Sequence, residues 1–176
     1  MSPADLVTIA IAGILAAAII AWRGRLRGLL MRLAGSMPWS MAVLAMLPVA
    51  LRLALLARFP APDPAVSDDF SYVLLADTLR HLRLANPVHP MHAFFETFFV
   101  LQEPSYSSIF PIGQGAAIAI GWTLFGHPWA GVLLPIAALS AGCYWTLRAW
   151  TTPGWAFVGG VLAAIQFGPL SQWTNS

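Results

Sequence analysis

Charged side chains are scarce in this sequence. Only 9% of its 176 residues are charged, whereas a soluble domain carries about 25%. Because 59% of the residues are hydrophobic, the composition favours a membrane protein over a soluble enzyme. Lysine is absent, and no basic run is mixed with polar residues. The sequence therefore offers no surface for nucleic acid.

Cysteine is nearly absent as well. Cys143 is the single cysteine, so no disulfide can form within the chain, and its apolar neighbours are typical of a small core hydrophobe. Neither a CxxC nor an HExxH metal motif occurs. A secretory signal has its positive charge before the apolar run. Here Asp5 comes before the run and Arg23, Arg25 and Arg27 follow it, so we expect a retained helix.

Long apolar runs dominate what is present. They are Leu6–Trp22, Pro38–Phe59, Pro111–Phe125, Trp129–Trp150 and Gly154–Leu170. A membrane-spanning helix needs about 20 apolar residues, and the third run is short for that. Arg52 lies well inside the second run and is expected to face protein rather than lipid.

The sequence thus predicts an all-α polytopic membrane protein with about five transmembrane helices. Residues 1–59 hold two of them, residues 60–110 form a long outer loop, and residues 111–176 hold three. The chain stops soon after an apolar run, so we expect it to be the first part of a longer membrane protein.

Arginine bias predicts the orientation. The link 23–36 holds four arginines and no acid, so it should be cytoplasmic. The link 60–110 holds six acids against two arginines and should be outside. If every run crosses the membrane, the "GHP" turn at 126–128 is then an inner turn and the "TTP" turn at 151–153 an outer one.

The outer loop begins with a predicted surface helix over Asp68–Leu84. Ser67 is a suitable N-cap, and Asp68 and Asp69 favour the positive end of the helix dipole. Asp77 can meet Arg80 or His81 on one face. As part of a helix start the acid pair needs no function, but acids close to a bilayer are often functional.

Two further polar groups allow alternative interpretations. His89, His92 and Glu96 could bind zinc if they share a helical face, although Pro90 opposes a helix there. Otherwise they are polar residues of a surface segment. Gln114 lies between glycines at the start of a predicted span, where it could contact a neighbouring helix or a substrate.

The order of these features resembles membrane glycosyltransferases of the GT-C class, which include protein O-mannosyltransferases and aminoarabinose transferases. In that class an acidic pair and a tyrosine open the first outer loop, as "DDFSY" does here with Asp68, Asp69 and Tyr72. A later stretch, "EPSYSSIFPIGQGAAIAIGWTLFG", is also similar, and the likeness runs from Ser67 to Trp150. The chain departs from the class in having Asp69 instead of glutamate, and Ile109 where a basic residue would meet the donor phosphate.

The resemblance implies a function. It would be sugar transfer from a polyprenyl-phosphate donor to an acceptor at the outer face of a bacterial inner membrane. Asp68 and Asp69 would be the catalytic carboxylates, and the pair could also hold a divalent metal ion. The residues expected to contact substrate are Tyr72, Glu96, Glu103, Tyr106 and Gln114. The alternative is a polytopic membrane protein without catalysis, such as part of a transporter built from repeats.

Overall fold

The computed structural model describes residues 28–94 and 96–168, together with Gly13, Ala17, Ala21 and Gly24. This part of the chain is mostly helical, and residues 28–35 are helical ahead of the first complete helix. The α-helices are α1 (Met37–Ala54), α2 (Ser67–Arg80), α3 (Ile112–Phe125), α4 (Pro128–Leu147) and α5 (Pro153–Gln166). The segment between α2 and α3 holds a 3₁₀ turn (His92–Phe94) and a short antiparallel pair of strands, β1 (Val100–Leu101) and β2 (Ser107–Ser108).

Two of the described helices, α1 and α4, are long and apolar enough to cross a membrane. The helices α3 and α5 are apolar but have 14 residues each. This agrees with a membrane-associated, predominantly helical protein. The first predicted span, Leu6–Trp22, lies outside the described residues apart from three isolated positions.

A bundle of α1, α4 and α5 forms one core of the protein. Its buried residues are Ala34, Leu44, Tyr144, Ala156 and Phe157. The hydroxyl of Tyr144 donates to the carbonyl oxygen of Ala34 at 3.1 Å, and the guanidinium of Arg52 lies 4.8 Å from the centre of the Trp129 ring. Since one end of α4 meets the start of α1 and the other meets its end, the two helices are antiparallel.

This direction makes the predicted order of crossings wrong. If every apolar run crossed the membrane, α1 and α4 would point the same way. The reason is α3, whose 14 residues extend only about 21 Å at 1.5 Å per residue, against a hydrocarbon core of about 30 Å. Gly126, with φ 77°, ends α3 in the left-handed conformation that glycine adopts freely. The chain then enters α4, so the "GHP" turn lies at the same end of the bundle as Arg52.

A second core joins α2 to the hairpin of α3 and α4. Its buried residues are Ala76, Ile118, Ala119, Val132 and Ile136. Three glycines permit the close approach. A Cβ on Gly115 would meet the side chain of Leu75. Where α3 crosses α4, a Cβ on Gly121 would meet the backbone of Gly131, and one on Gly131 would meet the backbone of Ala117 and Ile118. Small residues at helix contacts are what membrane helices use to pack closely.

The predicted surface helix exists, but its ends differ from the prediction. Ser67 is the first helical residue, and Val66 occupies the N-cap position. The helix ends at Arg80 instead of Leu84. The early end has a structural reason, because the backbone of Asn86 pairs with Tyr106 and its side-chain amide donates to Thr78 Oγ1 at 2.7 Å. These contacts turn the chain back across α2.

The helix α2 is therefore covered on two sides by protein. One side packs on α3, and the opposite contact is made by Ser71, which is fully buried. The Ser71 hydroxyl lies 2.6 Å from the Phe99 carbonyl oxygen and 2.7 Å from the Ser108 hydroxyl, so it ties both strands of the β1–β2 hairpin to α2. On the exposed part of the helix, the Asp77 carboxylate lies 3.6 Å from both Arg80 and His81, as the spacing predicts.

Candidate functional site

A cavity of about 660 Å³ extends along α4 from the turn before it to the level of Leu139. Five parts of the chain form it: the segment between α1 and α2, the first two turns of α2, the first two turns of α3, α4 with the turn before it, and Phe167 at the end of α5. Its wall is largely apolar. The lining residues are Pro62, Asp63, Pro64, Val66, Asp68, Asp69, Tyr72, Val73, Gln114, Ile118, His127, Pro128, Trp129, Val132, Pro135, Ile136, Leu139 and Phe167.

The two predicted catalytic carboxylates both line this cavity but have different surroundings. Asp69 Oδ2 accepts hydrogen bonds from the backbone N–H groups of Ala65 and Val66, at 3.0 and 3.2 Å. This carboxylate therefore fixes the entry into α2. Asp68 is exposed, and among the described residues its carboxylate has neither a hydrogen bond nor an ion pair. Of the two, Asp68 is the group that can accept a proton from a ligand.

Tyr72 follows Asp68 by one helical turn, so both side chains lie on the same face of α2. The Tyr72 ring stacks on Phe110 with 4.3 Å between ring centres and 8° between the planes. Phe99 continues the stack at 5.3 Å from Phe110. The stacking restricts the orientation of the Tyr72 ring, which lines the cavity.

Gln114 was expected to contact either a neighbouring helix or a substrate, and both stay predictions. The contact between α2 and α3 is made by its neighbour Gly115. Gln114 itself lines the cavity, where its amide can donate and accept hydrogen bonds. The structure thus brings together four residues that the sequence singled out, on two helices that are 31 residues apart in the chain at their closest ends.

Sequence reasoning missed three polar or aromatic residues of the cavity: Asp63, His127 and Trp129. Asp63 lies between two prolines in "PDP", which fix its backbone. His127 Nδ1 accepts the backbone N–H of Trp129 at 3.2 Å and so caps α4. In this arrangement a neutral ring carries its proton on Nε2. The Pro-Asp-Pro and Gly-His-Pro runs were the available signals, and both read as ordinary turns.

The remaining predicted site residues lie elsewhere. Glu96 is exposed and does not line the cavity. Glu103 lies 3.1 Å from His92, measured from Oε1 to Nε2. Tyr106 lines a second cavity of about 610 Å³ on the other side of α2, with Phe70 and Leu74. As substrate contacts these three residues stay predictions, and they do not belong to the same cavity as Asp68.

Metal binding has limited support in the geometry. Within the described residues no group of three or more His, Cys, Asp or Glu side chains could hold an ion. His92 pairs with Glu103 rather than with His89 and Glu96, and His89 Nδ1 accepts the backbone N–H of Met91. Asp68 and Asp69 supply two carboxylates, one of them already bonded to backbone. That number fits Mg²⁺, which is usually bound by one or two carboxylates plus water and substrate phosphates.

The charged side chains that line the cavity are acidic. Three carboxylates and one histidine line it, and no arginine does so within the described residues. The apolar wall suits a hydrocarbon chain, while the acidic group suits a hydroxyl or amine that must lose a proton. No protein-family model, curated protein or solved structure matched this chain.

Proposed function

We propose that the chain is the membrane part of a glycosyltransferase of the GT-C type. It would move a sugar from a polyprenyl-phosphate donor to an acceptor at the outer face of a bacterial inner membrane. The observation that carries the proposal is the convergence of Asp68, Asp69, Tyr72 and Gln114 on one largely apolar cavity. These residues come from the two stretches that resemble the class.

The chemistry assigned to Asp68 follows from its freedom from protein partners. Its carboxylate takes the proton of the acceptor hydroxyl as that oxygen forms a bond to the anomeric carbon. The bond between the anomeric carbon and the phosphate oxygen breaks, and the lipid phosphate leaves with the electron pair. A divalent ion held by the acid pair would neutralise charge on that phosphate. Asp69 keeps the segment before α2 in place through its two backbone hydrogen bonds.

The orientation of the bundle supports a site at the outer face. We call the end of the bundle with the start of α1, Arg148 and the "TTP" turn the arginine end. The link 23–36 that leads into it holds four arginines and no acid, whereas the link 60–110 at the opposite end holds six acids. Cytoplasmic loops are enriched in arginine, so this end is assigned to the cytoplasm. The cavity begins at the opposite end, beside the "GHP" turn. In this arrangement α1 and α4 cross the membrane in opposite directions.

The absence of arginine from the described lining favours a second candidate, a polytopic protein that binds an apolar ligand without catalysis, as part of a transporter would. Ile109, where a basic residue would meet the donor phosphate, points the same way. Under the proposal, the phosphate is met by the ring of His127, whose Nδ1 caps α4 and whose Nε2 can donate a hydrogen bond.

The experiment compares two aspartate variants of the full-length protein in liposomes that contain a polyprenyl-phosphate-linked sugar. Asp68→Asn keeps the shape of the side chain and removes the base, so transfer should fall about a hundred- to ten-thousand-fold. Asp77→Asn is the matched control, because Asp77 pairs with Arg80 and His81 on an exposed face of the same helix. Exposed pairs contribute under about 1 kcal/mol, so this variant should transfer normally. A normal rate for Asp68→Asn would refute the role of Asp68 as the base. No transfer by the unaltered protein would leave the non-catalytic candidate.

A further inference from the structure

Arg52 is the one charged residue within α1, and its side chain is completely buried. Its guanidinium donates from NH1 to the Phe59 carbonyl oxygen at 2.7 Å and from NH2 to the Pro60 carbonyl oxygen at 3.0 Å. A planar fork of donors is suited to holding two neighbouring acceptors at once. The Arg52 side chain therefore holds the backbone at Phe59 and Pro60, shortly after α1 ends.

Phe59 and Pro60 begin a segment that forms one wall of the cavity. From Pro60 the chain runs through Pro62, Asp63 and Pro64 to Val66, which all line the cavity. The far end of this segment is held by Asp69, which accepts from the backbone at 65 and 66. The wall is therefore fixed at two points, by a cation at its start and a carboxylate at its end.

The same guanidinium also contacts the facing wall. Its carbon lies 4.8 Å from the centre of the Trp129 ring, and Trp129 is itself 8% exposed in the first turn of α4. The backbone N–H of Trp129 donates to His127, which also lines the cavity. One side chain thus joins the segment after α1 to the start of α4.

Stability alone gives no reason for a cation here. A charge inside a membrane-spanning helix is costly, and a buried ionic group can often be replaced by an apolar side chain of similar volume without loss of stability. We propose that Arg52 is a positioning residue that holds the wall formed by residues 60–66 against α4 and so sets the width of the cavity. The proposal goes beyond sugar transfer and does not depend on it.

The test measures the width of the cavity directly with pairs of spin labels on the full chain in nanodiscs. Cys143→Ser provides the background. One pair, at Ala61 and Ala138, joins the start of the segment 60–66, next to Pro60, to α4. A second pair, at Gly35 and Ala149, reports on the arginine end of the bundle. Ala61 is half-buried, and the other three positions are exposed.

In the wild type both pairs should give narrow distance distributions. Arg52→Met should broaden the distribution of the cavity pair and leave the pair at the arginine end unchanged. Arg52→Lys should broaden the cavity pair less, because an ammonium keeps the charge but not the fork. Arg58→Met is the control, since Arg58 is exposed beside Phe59 and makes no contact with Pro60 among the described ones. It should leave both distributions narrow.

Two results would overturn the proposal. A cavity pair that stays narrow in Arg52→Met would mean that the wall holds without the guanidinium. Equal broadening of both pairs in Arg52→Met and Arg52→Lys would mean that Arg52 supports the whole bundle and has no specific part in the cavity. Because neither result involves sugar or donor, failure here leaves the proposed glycosyltransferase activity untouched.

Discussion

Replacing Gly131 with alanine should force α3 and α4 apart. A Cβ at this position would overlap the Ile118 Cα atom and the Ala117 carbonyl oxygen. Both are backbone atoms, so no change of rotamer can relieve the overlap, and one helix must shift as a body. Gly142 lies on the same helix with open space around its Cβ position, and it provides a matched control.

The magnitude follows from two opposing terms. Overpacking a well-filled contact costs about 1–3 kcal/mol, and a backbone clash belongs at the upper part of that range. Alanine in place of glycine stabilises a helix by about 0.5–1 kcal/mol. Gly131→Ala should therefore destabilise the protein by about 2 kcal/mol, while Gly142→Ala should stabilise it by the helical term alone.

Reversible unfolding in mixed micelles, titrated with a denaturing detergent, measures this difference. The displacement should also alter the cavity, because α3 contributes Gln114 and Ile118 to its lining and α4 contributes Val132 and Ile136. Uptake of a fluorescent polyprenyl analogue would then change in Gly131→Ala only. If Gly131→Ala were as stable as Gly142→Ala, the close crossing of α3 and α4 would be wrong, and with it the shape of the cavity.

Three further outcomes are expected. In a cysteine-free background, Phe125→Cys should react with an impermeant maleimide from the outer face and Thr152→Cys should not; the opposite pattern would restore the topology expected from the sequence. Asp69→Ala should lose about 0.5–2 kcal/mol of capping and speed hydrogen exchange at the amides just before α2, and unchanged exchange would refute that role. Ser71→Ala should remove two buried hydrogen bonds, each worth about 0.5–1.5 kcal/mol, and speed proteolysis of the β1–β2 hairpin, whereas Ser105→Ala should not.

The sequence predicted the helical regions well because apolar runs and turn residues are local signals. The runs that became α1 and α4 were long, and the "GHP" and "TTP" turns come before and after α4. The predicted meeting of Asp77 with Arg80 and His81 was confirmed for the same reason, since one turn of helix sets the spacing. Arg52 was expected to face protein, and it is buried.

The predictions that failed were those that depended on contacts between segments far apart in the chain. The sequence could not predict the direction of α4, because that direction depends on whether α3 crosses the membrane. The apolar run that forms α3 has a borderline length, so its composition alone does not decide this. The helix α2 ended early because Asn86 pairs with Tyr106, 20 residues later in the chain. Ser67 is not the N-cap, because the Asp69 carboxylate accepts hydrogen bonds from the backbone of Ala65 and Val66 and the helix begins one residue earlier than predicted. Asp63 and His127 were missed because only the fold brings their turns to the cavity.

The contacts of Arg52 impose an order on biosynthesis. Its two carbonyl partners are only seven and eight residues away, so they are present as soon as α1 leaves the ribosome. Two of the guanidinium donors can therefore already be bonded when α1 enters the bilayer. Its ring partner on α4 arrives later, as does the hydrogen bond between Ala34 and Tyr144, which are 110 residues apart. At about 5–20 residues per second, α1 waits on the order of 5–20 seconds for α4. During that interval the two hydrogen bonds from Arg52 to Phe59 and Pro60 stabilise α1 in the bilayer.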